Sequence, residues 1–167
     1  MRIETERLIL RRWLADDVDP IVELVTHPDV ARWLAYQTRE DAIASIERYE
    51  QSFEERGFGR FAVDDRRTGE LVGRVGVMHQ PDWKATTERD EIGWAIAFHR
   101  WGEGLATEAA AAAIDDALGR VGLRRVLSWT APENVASRRV MEKCVMSFGG
   151  VTRWKGAEHV WYAIDAP

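Results

Sequence analysis

The residues of this chain best placed to do chemistry run Trp94-Ala95-Ile96-Ala97-Phe98-His99-Arg100-Trp101-Gly102-Glu103-Gly104-Leu105-Ala106-Thr107-Glu108. They read as a strand, a glycine turn and the start of a helix. Glycines at 102 and 104 permit backbone conformations and close approaches that other residues resist. The helix that follows opens on unpaired N–H groups carrying partial positive charge, a setting suited to a phosphate. A Gly-x-Gly step serves equally well as a tight turn with no ligand, so the surrounding pattern must decide. A P-loop ends in Gly-Lys-Ser/Thr, whereas Leu105 follows Gly104, which leaves nucleoside-triphosphate binding by that route unsupported. A dinucleotide fingerprint would place its third glycine or alanine at Thr107, and too little chain follows for a second mononucleotide-binding half.

The elements that must hold this turn are legible on both sides of it. Glu91 to Phe98 alternates large and small side chains, as a strand packed differently on its two faces does. From Ala106 the positions Ala110, Ala113, Ile114, Ala117 and Val121 recur at helical spacing, and their small size lets the helix approach a sheet closely. Arg124–Thr130 reads as a strand, Val135 to about Cys144 as a helix, and Ser147–Trp154 with His159–Ile164 as a closing pair of strands around Gly156. Upstream, Arg60–Asp64 and Leu71–Met78 bracket Arg66-Arg67-Thr68-Gly69, a hairpin turn. Arg7–Trp13 reads as an opening strand, followed by a helix to about Val25 that His27-Pro28 stops, and by a longer helix over Arg39–Arg56 ending at Gly57. Between those helices lies an aromatic loop, Arg32-Trp33-Leu34-Ala35-Tyr36. This order gives an α/β or α+β sandwich in which the alanine-rich helix joins two parallel strands by a right-handed crossover.

The chain has 167 residues, 46% of them hydrophobic and 31% charged, which fits one globular domain spanning 1–167 with a sizeable core. Its net charge of −5 offers no basic surplus for a nucleic-acid backbone. A single cysteine, Cys144, permits neither an internal disulfide nor a thiolate metal cluster, and a reducing cytoplasm fits best. Met1–Trp13 lacks the uninterrupted apolar core of a signal peptide, and no apolar run is long enough to span a bilayer, so neither export nor membrane insertion is expected. Eight tryptophans can be packing or the lining of an organic-ligand pocket.

Several motifs in this order resemble the GNAT superfamily of acetyl-coenzyme-A-dependent N-acetyltransferases, and most closely its ribosomal-protein N-acetyltransferase-like (Rim-type) branch. The resemblance covers nearly the whole chain: Thr5-Glu6-Arg7-Leu8-Ile9-Leu10-Arg11, Gly69–Gly76, Glu91-Ile92-Gly93-Trp94, the turn Trp101–Ala109 and the helix motif Ala131–Lys143. It implies a mixed, largely antiparallel twisted sheet flanked by helices, with a splayed central strand pair. It further implies that the backbone of Trp94, Ala95 and Ile96 pairs with the pantetheine arm like an added strand. N–H groups of Trp101, Gly102, Glu103, Gly104, Leu105 and Ala106 would cradle the pyrophosphate, with Asn134 supporting the cofactor from the far side of the split. Asn134 also suits a helix N-cap, and the two roles are compatible.

Acetyl transfer needs a neutral amine, stabilisation of an oxyanion, and a proton for the departing thiolate. A backbone N–H near Trp94–Ile96 is the candidate oxyanion donor. Glu91, at the start of the same strand, is the side-chain candidate for general base, directly or through a water, beside the alternative of a structural carboxylate; His79 is a second option. An α-amine needs only about 1 kcal/mol to deprotonate at pH 7, whereas a lysine-like amine needs about 5 kcal/mol, so a weakly basic acceptor could rely on water. Ser137 matches a serine that Rim-type relatives carry near the sulfur, which makes it the candidate proton donor; a serine in a first helical turn can also bond only its own backbone. Trp33, Tyr36 and Trp83 lie in loops that the resemblance places over the acceptor, and an aromatic rim suits a hydrophobic amine or a peptide end; loop aromatics can equally pack against the core.

The chain also departs from the family pattern. Met141 stands where many relatives carry an acid tyrosine, and Trp129 where some ribosomal-protein acetyltransferases use a glutamate, so neither role transfers. Val145 replaces the glycine that usually takes a left-handed turn, which predicts a strained or reshaped helix end. Cys144 reads as a small core residue. The expected activity is direct acetyl transfer from acetyl-coenzyme A to a primary amine, either a protein N-terminus or a small molecule, without an acyl-enzyme, and a homodimer would be in keeping with such domains. Two alternatives stay open: a non-catalytic acyl-coenzyme-A-binding or sensing module that lost the acid, and a nucleotide-binding domain using the same turn.

Overall fold

In the computed structural model, which describes residues 1–34 and 38–167, eight strands form one sheet in the order β1-β2-β3-β4-β5-β6-β8-β7. The strands are β1 (Arg2–Glu4), β2 (Leu8–Arg11), β3 (Arg60–Asp65), β4 (Leu71–His79), β5 (Asp90–Ile96), β6 (Arg125–Thr130), β7 (Ser147–Trp154) and β8 (Ala157–Asp165). The helices are α1 (Val18–Thr26), α2 (Pro28–Ala31), α3 (Arg39–Arg56), α4 (Leu105–Leu118) and α5 (Val135–Lys143). Every neighbouring pair is antiparallel except β5 and β6, which run parallel and are joined through α4. The mixed, largely antiparallel sheet expected from the sequence is therefore present.

The two faces of the sheet are covered differently. One core gathers α4, through Leu105, Ala109, Ala110, Ala113, Ile114 and Ala117, with Ile92 and Ile96 of β5 and Met141 of α5. The alanine stripe lets the helix lie close over the strands, and fully buried residues such as Ile92 and Leu105 each add about 1.5–3 kcal/mol of burial free energy. A second core joins Ile21, Leu24 and Val25 of α1 and Ala42 and Tyr49 of α3 to Ala62 and Ala95 of the sheet. In α3, Thr38 and Asp41 form a capping box and Gly57 closes the helix in a left-handed conformation, as the sequence of its ends requires.

Three local differences from the sequence reading have simple causes. The opening strand is two strands, with Thr5 Oγ1 accepting from the Leu8 N–H to fold β1 onto β2. The strand carrying the chemistry stops at Ile96, whose carbonyl accepts from the Trp101 indole at 2.8 Å, and Phe98–Arg100 then winds into a 3₁₀ turn. Pro28 starts the short α2, where its missing N–H does no harm, ahead of the aromatic loop.

Candidate active-site cleft

β5 and β6 share one register pair, Glu91 with Leu127. Just beyond it the buried Ser128 hydroxyl donates to the Ile92 carbonyl at 2.9 Å, fastening the root of the split. Past that point, among the described residues, the ladder partners of Gly93 through Ile96 come from β4 alone. The other edge of β5 thus faces a gap with main-chain donors and acceptors to offer. A cleft of about 560 Å³ opens there, lined by Trp94, Ala95 and Ile96 on one wall and by Asn134, Ser137 and Val140 of α5 on the other.

The floor of the cleft is the glycine turn. Gly102 and Gly104 have φ of +84° and +82°, conformations that L side chains avoid, and both line the cleft with Trp101, Leu105 and Ala106. Gly104 is the residue preceding α4, so the orphan N–H groups of that helix open into the same space. Asn134 is buried and caps α5 by accepting from the Ser137 N–H at 3.2 Å, while also lining the cleft. Trp33 lines this cleft too, beside Arg32, whose guanidinium lies 4.9 Å from the Trp33 ring.

Glu103 lies outside that lining: its carboxylate is gripped by the Arg100 guanidinium at 2.9 and 3.0 Å, which in turn reaches Asp65 at 2.9 Å. The Arg100 contact, with N–H donors from Thr68 and Arg67, holds the Asp65 carboxyl down at about 2. Arg139 and Lys143, one helical turn apart on α5, bring positive charge to the cleft wall. The sequence reading missed both, although their i, i+4 spacing downstream of Asn134 was the available signal.

Glu91 is buried away from this lining and is tied to the Arg60 guanidinium at 2.5 Å. The pair occupies the space that a Gly93 side chain would fill, since a Cβ there would stand 2.5 Å from the guanidinium and 2.8 Å from Glu91 Oε1. His79 pairs through Nδ1 with Asp90 at 2.8 Å.

Of the described loop aromatics expected over an acceptor, Trp33 lines the cleft and Trp83 does not. Trp83 is fully buried, stacked on Trp129 at 3.9 Å with rings 3° from parallel and met edge-on by Trp154 at 5.9 Å. Its indole N–H is satisfied by Thr86. The contact surface of so large a ring is used up by packing, which corrects its assignment to substrate. Tyr36 lies outside the described residues.

Met141 is fully buried in the α4-side core. Burial also pushes the Cys144 thiol up to about 11, which suits a packing residue and not a nucleophile. Val145 keeps the left-handed turn despite its branched side chain, at φ +60°, closing α5 with Met146 N–H to Met141 O and Val145 N–H to Glu142 O, both at 3.0 Å. Among the described residues no group of three metal-ligating side chains occurs, and no helix is long and apolar enough to cross a membrane.

A split parallel pair, a strand edge left open and a glycine turn feeding a helix line one continuous cleft whose recognition groups are mostly main chain. Residues 7–147 match the acetyltransferase (GNAT) domain, and the chain belongs to this family of acetyl-coenzyme-A-dependent N-acetyltransferases. It is similar to the uncharacterized N-acetyltransferase YoaA of Bacillus subtilis, 29% identical over 154 residues that cover 90% of this chain and 85% of the relative. Its fold is shared with an acetyltransferase from Agrobacterium tumefaciens, at a TM-score of 0.86 and 24% identity over 98% and 94% of the two chains. It is shared as well with RimL, a ribosomal L7/L12 α-N-protein acetyltransferase in complex with coenzyme A, at a TM-score of 0.80 and 18% identity over 99% and 98%.

Proposed function

We propose that this enzyme transfers the acetyl group of acetyl-coenzyme A directly to a weakly basic primary amine, with a protein N-terminus as the acceptor that fits best. The observation carrying this reading is the continuity of the open β5 edge with the Gly102–Gly104 turn inside one cleft. When bound, acetyl-coenzyme A supplies the activated acyl group. The residues present fit it: the β5 edge at Trp94–Ile96 offers main-chain partners to its amides, and the N–H groups of Gly102, Gly104, Leu105 and Ala106 offer donors to its diphosphate, whereas the Trp101 N–H, expected to join them, is taken by the Phe98 carbonyl at 3.1 Å. A β5 N–H at this edge is also the fixed dipole that can meet negative charge developing on the acyl oxygen.

The setting of Glu91 favours a weakly basic acceptor. Glu91 is engaged by the Arg60 guanidinium at 2.5 Å and is set back from the cleft lining, so it can reach an acceptor amine only through water. An α-amine, which needs only about 1 kcal/mol to deprotonate at pH 7, asks little of such a base, whereas a lysine-like amine asks for about 5 kcal/mol. Glu91 then acts through water, orienting it next to the attacking nitrogen. Ser137, on the cleft wall, is the side chain we assign to deliver a hydrogen bond or proton to the leaving sulfur. The fold shared with RimL supports placing the chain near the Rim-type branch.

The deep burial of Met141 favours a second reading, a binding module without catalysis, because no phenol stands at that position to protonate a thiolate. Incubating the protein with acetyl-coenzyme A and a panel of N-terminal peptides, lysine analogues and polyamines, with free thiol as the readout, separates the two. Thiol release that depends on an α-amine is the expected result. Saturable coenzyme A binding with no acceptor-dependent thiol would establish the binding module instead.

A further inference from the structure

The glycine turn is anchored from outside the cleft by a segment that the proposed chemistry does not use. Glu108, in the first turn of α4, is held on three sides: Thr5 Oγ1 donates to Oε1 at 2.6 Å, the Arg7 N–H to the same oxygen at 2.8 Å, and Arg7 Nε to Oε2 at 2.7 Å. The Arg7 side chain does not stop there, because its Nη1 donates to the main-chain carbonyl of Glu103 at 2.8 Å. One planar guanidinium therefore bridges the helix and the turn, a geometry that a fork of fixed donors can satisfy and a point charge cannot. In a trans peptide the carbonyl and the next N–H point in opposite directions. With its oxygen drawn toward Arg7, the Glu103–Gly104 peptide must aim the Gly104 N–H away from Arg7, and Gly104 lines the cleft whereas Arg7 does not. The turn is tied twice more, by Trp101 to the Ile96 carbonyl and by Arg100 to the Glu103 carboxylate, but neither contact sets that peptide plane.

We infer that Arg7 is a positioning residue for the diphosphate of the acyl carrier: through the Glu103 carbonyl it fixes the Gly104 N–H toward the cleft, with Glu108 and Thr5 holding its guanidinium in place. This rests on the acetyl-coenzyme A reading proposed above. Burial pushes the Glu108 carboxyl up, but the hydrogen bonds from Thr5 and Arg7 outweigh it and leave it below the ordinary glutamate range, so the anchor stays ionised at neutral pH. The contact is partly open to water, which sets its effect at the low end for a charged hydrogen bond.

The test compares ligands that share the pantetheine arm and differ in the diphosphate. For Arg7→Met the dissociation constant of coenzyme A, measured by titration calorimetry, is expected to rise about tenfold. That of pantetheine should stay unchanged, as should the KM for the amine. Arg7→Lys keeps the charge but not the fork, so it should show most of the same selective loss, and it serves if the methionine variant does not fold. An equal loss for coenzyme A and pantetheine, or no loss for either, overturns the assignment by showing that Arg7 acts on the fold generally or not at all. If the wild-type chain takes up no coenzyme A, the functional reading itself falls and the role of Arg7 with it; a selective change in the variants alone speaks only to Arg7.

Discussion

The two sides of the β5–β6 split are built from different materials. Toward α4 the cleft is made of main chain: an unpaired strand edge, a turn held by two left-handed glycines, and a helix N-terminus, each fixed by side chains that point elsewhere. Toward the other face the space is filled by side chains: the Arg60–Glu91 pair set over Gly93, and the Trp83–Trp129–Trp154 block packed beside β6. A ligand-binding surface made of backbone tolerates wide variation in sequence as long as the glycines and the strand register survive. A surface made of side chains changes with every substitution, and Trp129 is an example of such change. Cofactor recognition should therefore belong to the fold, and acceptor choice to this particular chain.

The largest expected effect tests whether the tryptophan block is architecture or acceptor surface. Trp83 is fully buried and stacked, so Trp83→Ala should cost about 3–5 kcal/mol of stability, read from the denaturant midpoint. The folded fraction should bind coenzyme A with unchanged affinity, because Trp83 does not line the main cleft. A variant of near wild-type stability with a raised KM for the amine would return Trp83 to the acceptor site.

On the backbone side, Gly104→Val is the matching experiment. A Cβ there would meet nothing closer than an Arg7 nitrogen at 3.7 Å, so crowding is not the issue. The difficulty is φ +82°, which costs a branched residue about 1–3 kcal/mol and which the chain can relieve only by turning the peptide that faces the ligand. The dissociation constant of coenzyme A should rise about 10- to 100-fold, while the KM for the amine stays near its wild-type value. Equal damage to both constants would mean that the turn also shapes the acceptor side.

What could be read in the sequence follows the same division. Local signals located the hairpin at Arg66–Gly69, the alanine-striped α4, the ends of α3 and the glycine turn, because each is determined within a few residues. Trp94, Ala95, Ile96, Gly102, Gly104, Asn134 and Ser137, named from the sequence, all line one cleft. For Trp83 the sequence leaves acceptor contact and core packing both open, because the partners that decide it lie 46 and 71 residues away in sequence, at Trp129 and Trp154. The Arg60 contact to Glu91 was hidden for the same reason, the partners standing 31 positions apart. Nor could Thr5 and Arg7 be connected to Glu108 by any local pattern, since the pairing spans about a hundred positions (|i−j| of 103 and 101). β1 went unread because three residues with one half-buried side chain carry almost no periodicity.

The smallest effect is expected at Val145, which belongs to neither half. The sequence pointed to strain or a new shape at this helix end, and the structure keeps the glycine-like shape: Val145 sits at φ +60° as the left-handed residue after α5, with 78% of its surface exposed. Nothing packs on the side chain closely enough to repay that backbone, and a non-glycine residue in this region costs about 1–2 kcal/mol. Glycine removes the strain but gives back part of the gain as greater freedom of the unfolded chain, about 0.5–1 kcal/mol. Val145→Gly should therefore raise stability by about 0.5–1 kcal/mol, which for a chain of this size is a melting-temperature rise of about 1–4 °C. Neither coenzyme A affinity nor the amine KM should move, because Val145 is absent from the cleft lining. A changed amine KM would show that the end of α5 reaches the acceptor side after all, and would enlarge the side-chain half of the site by one element.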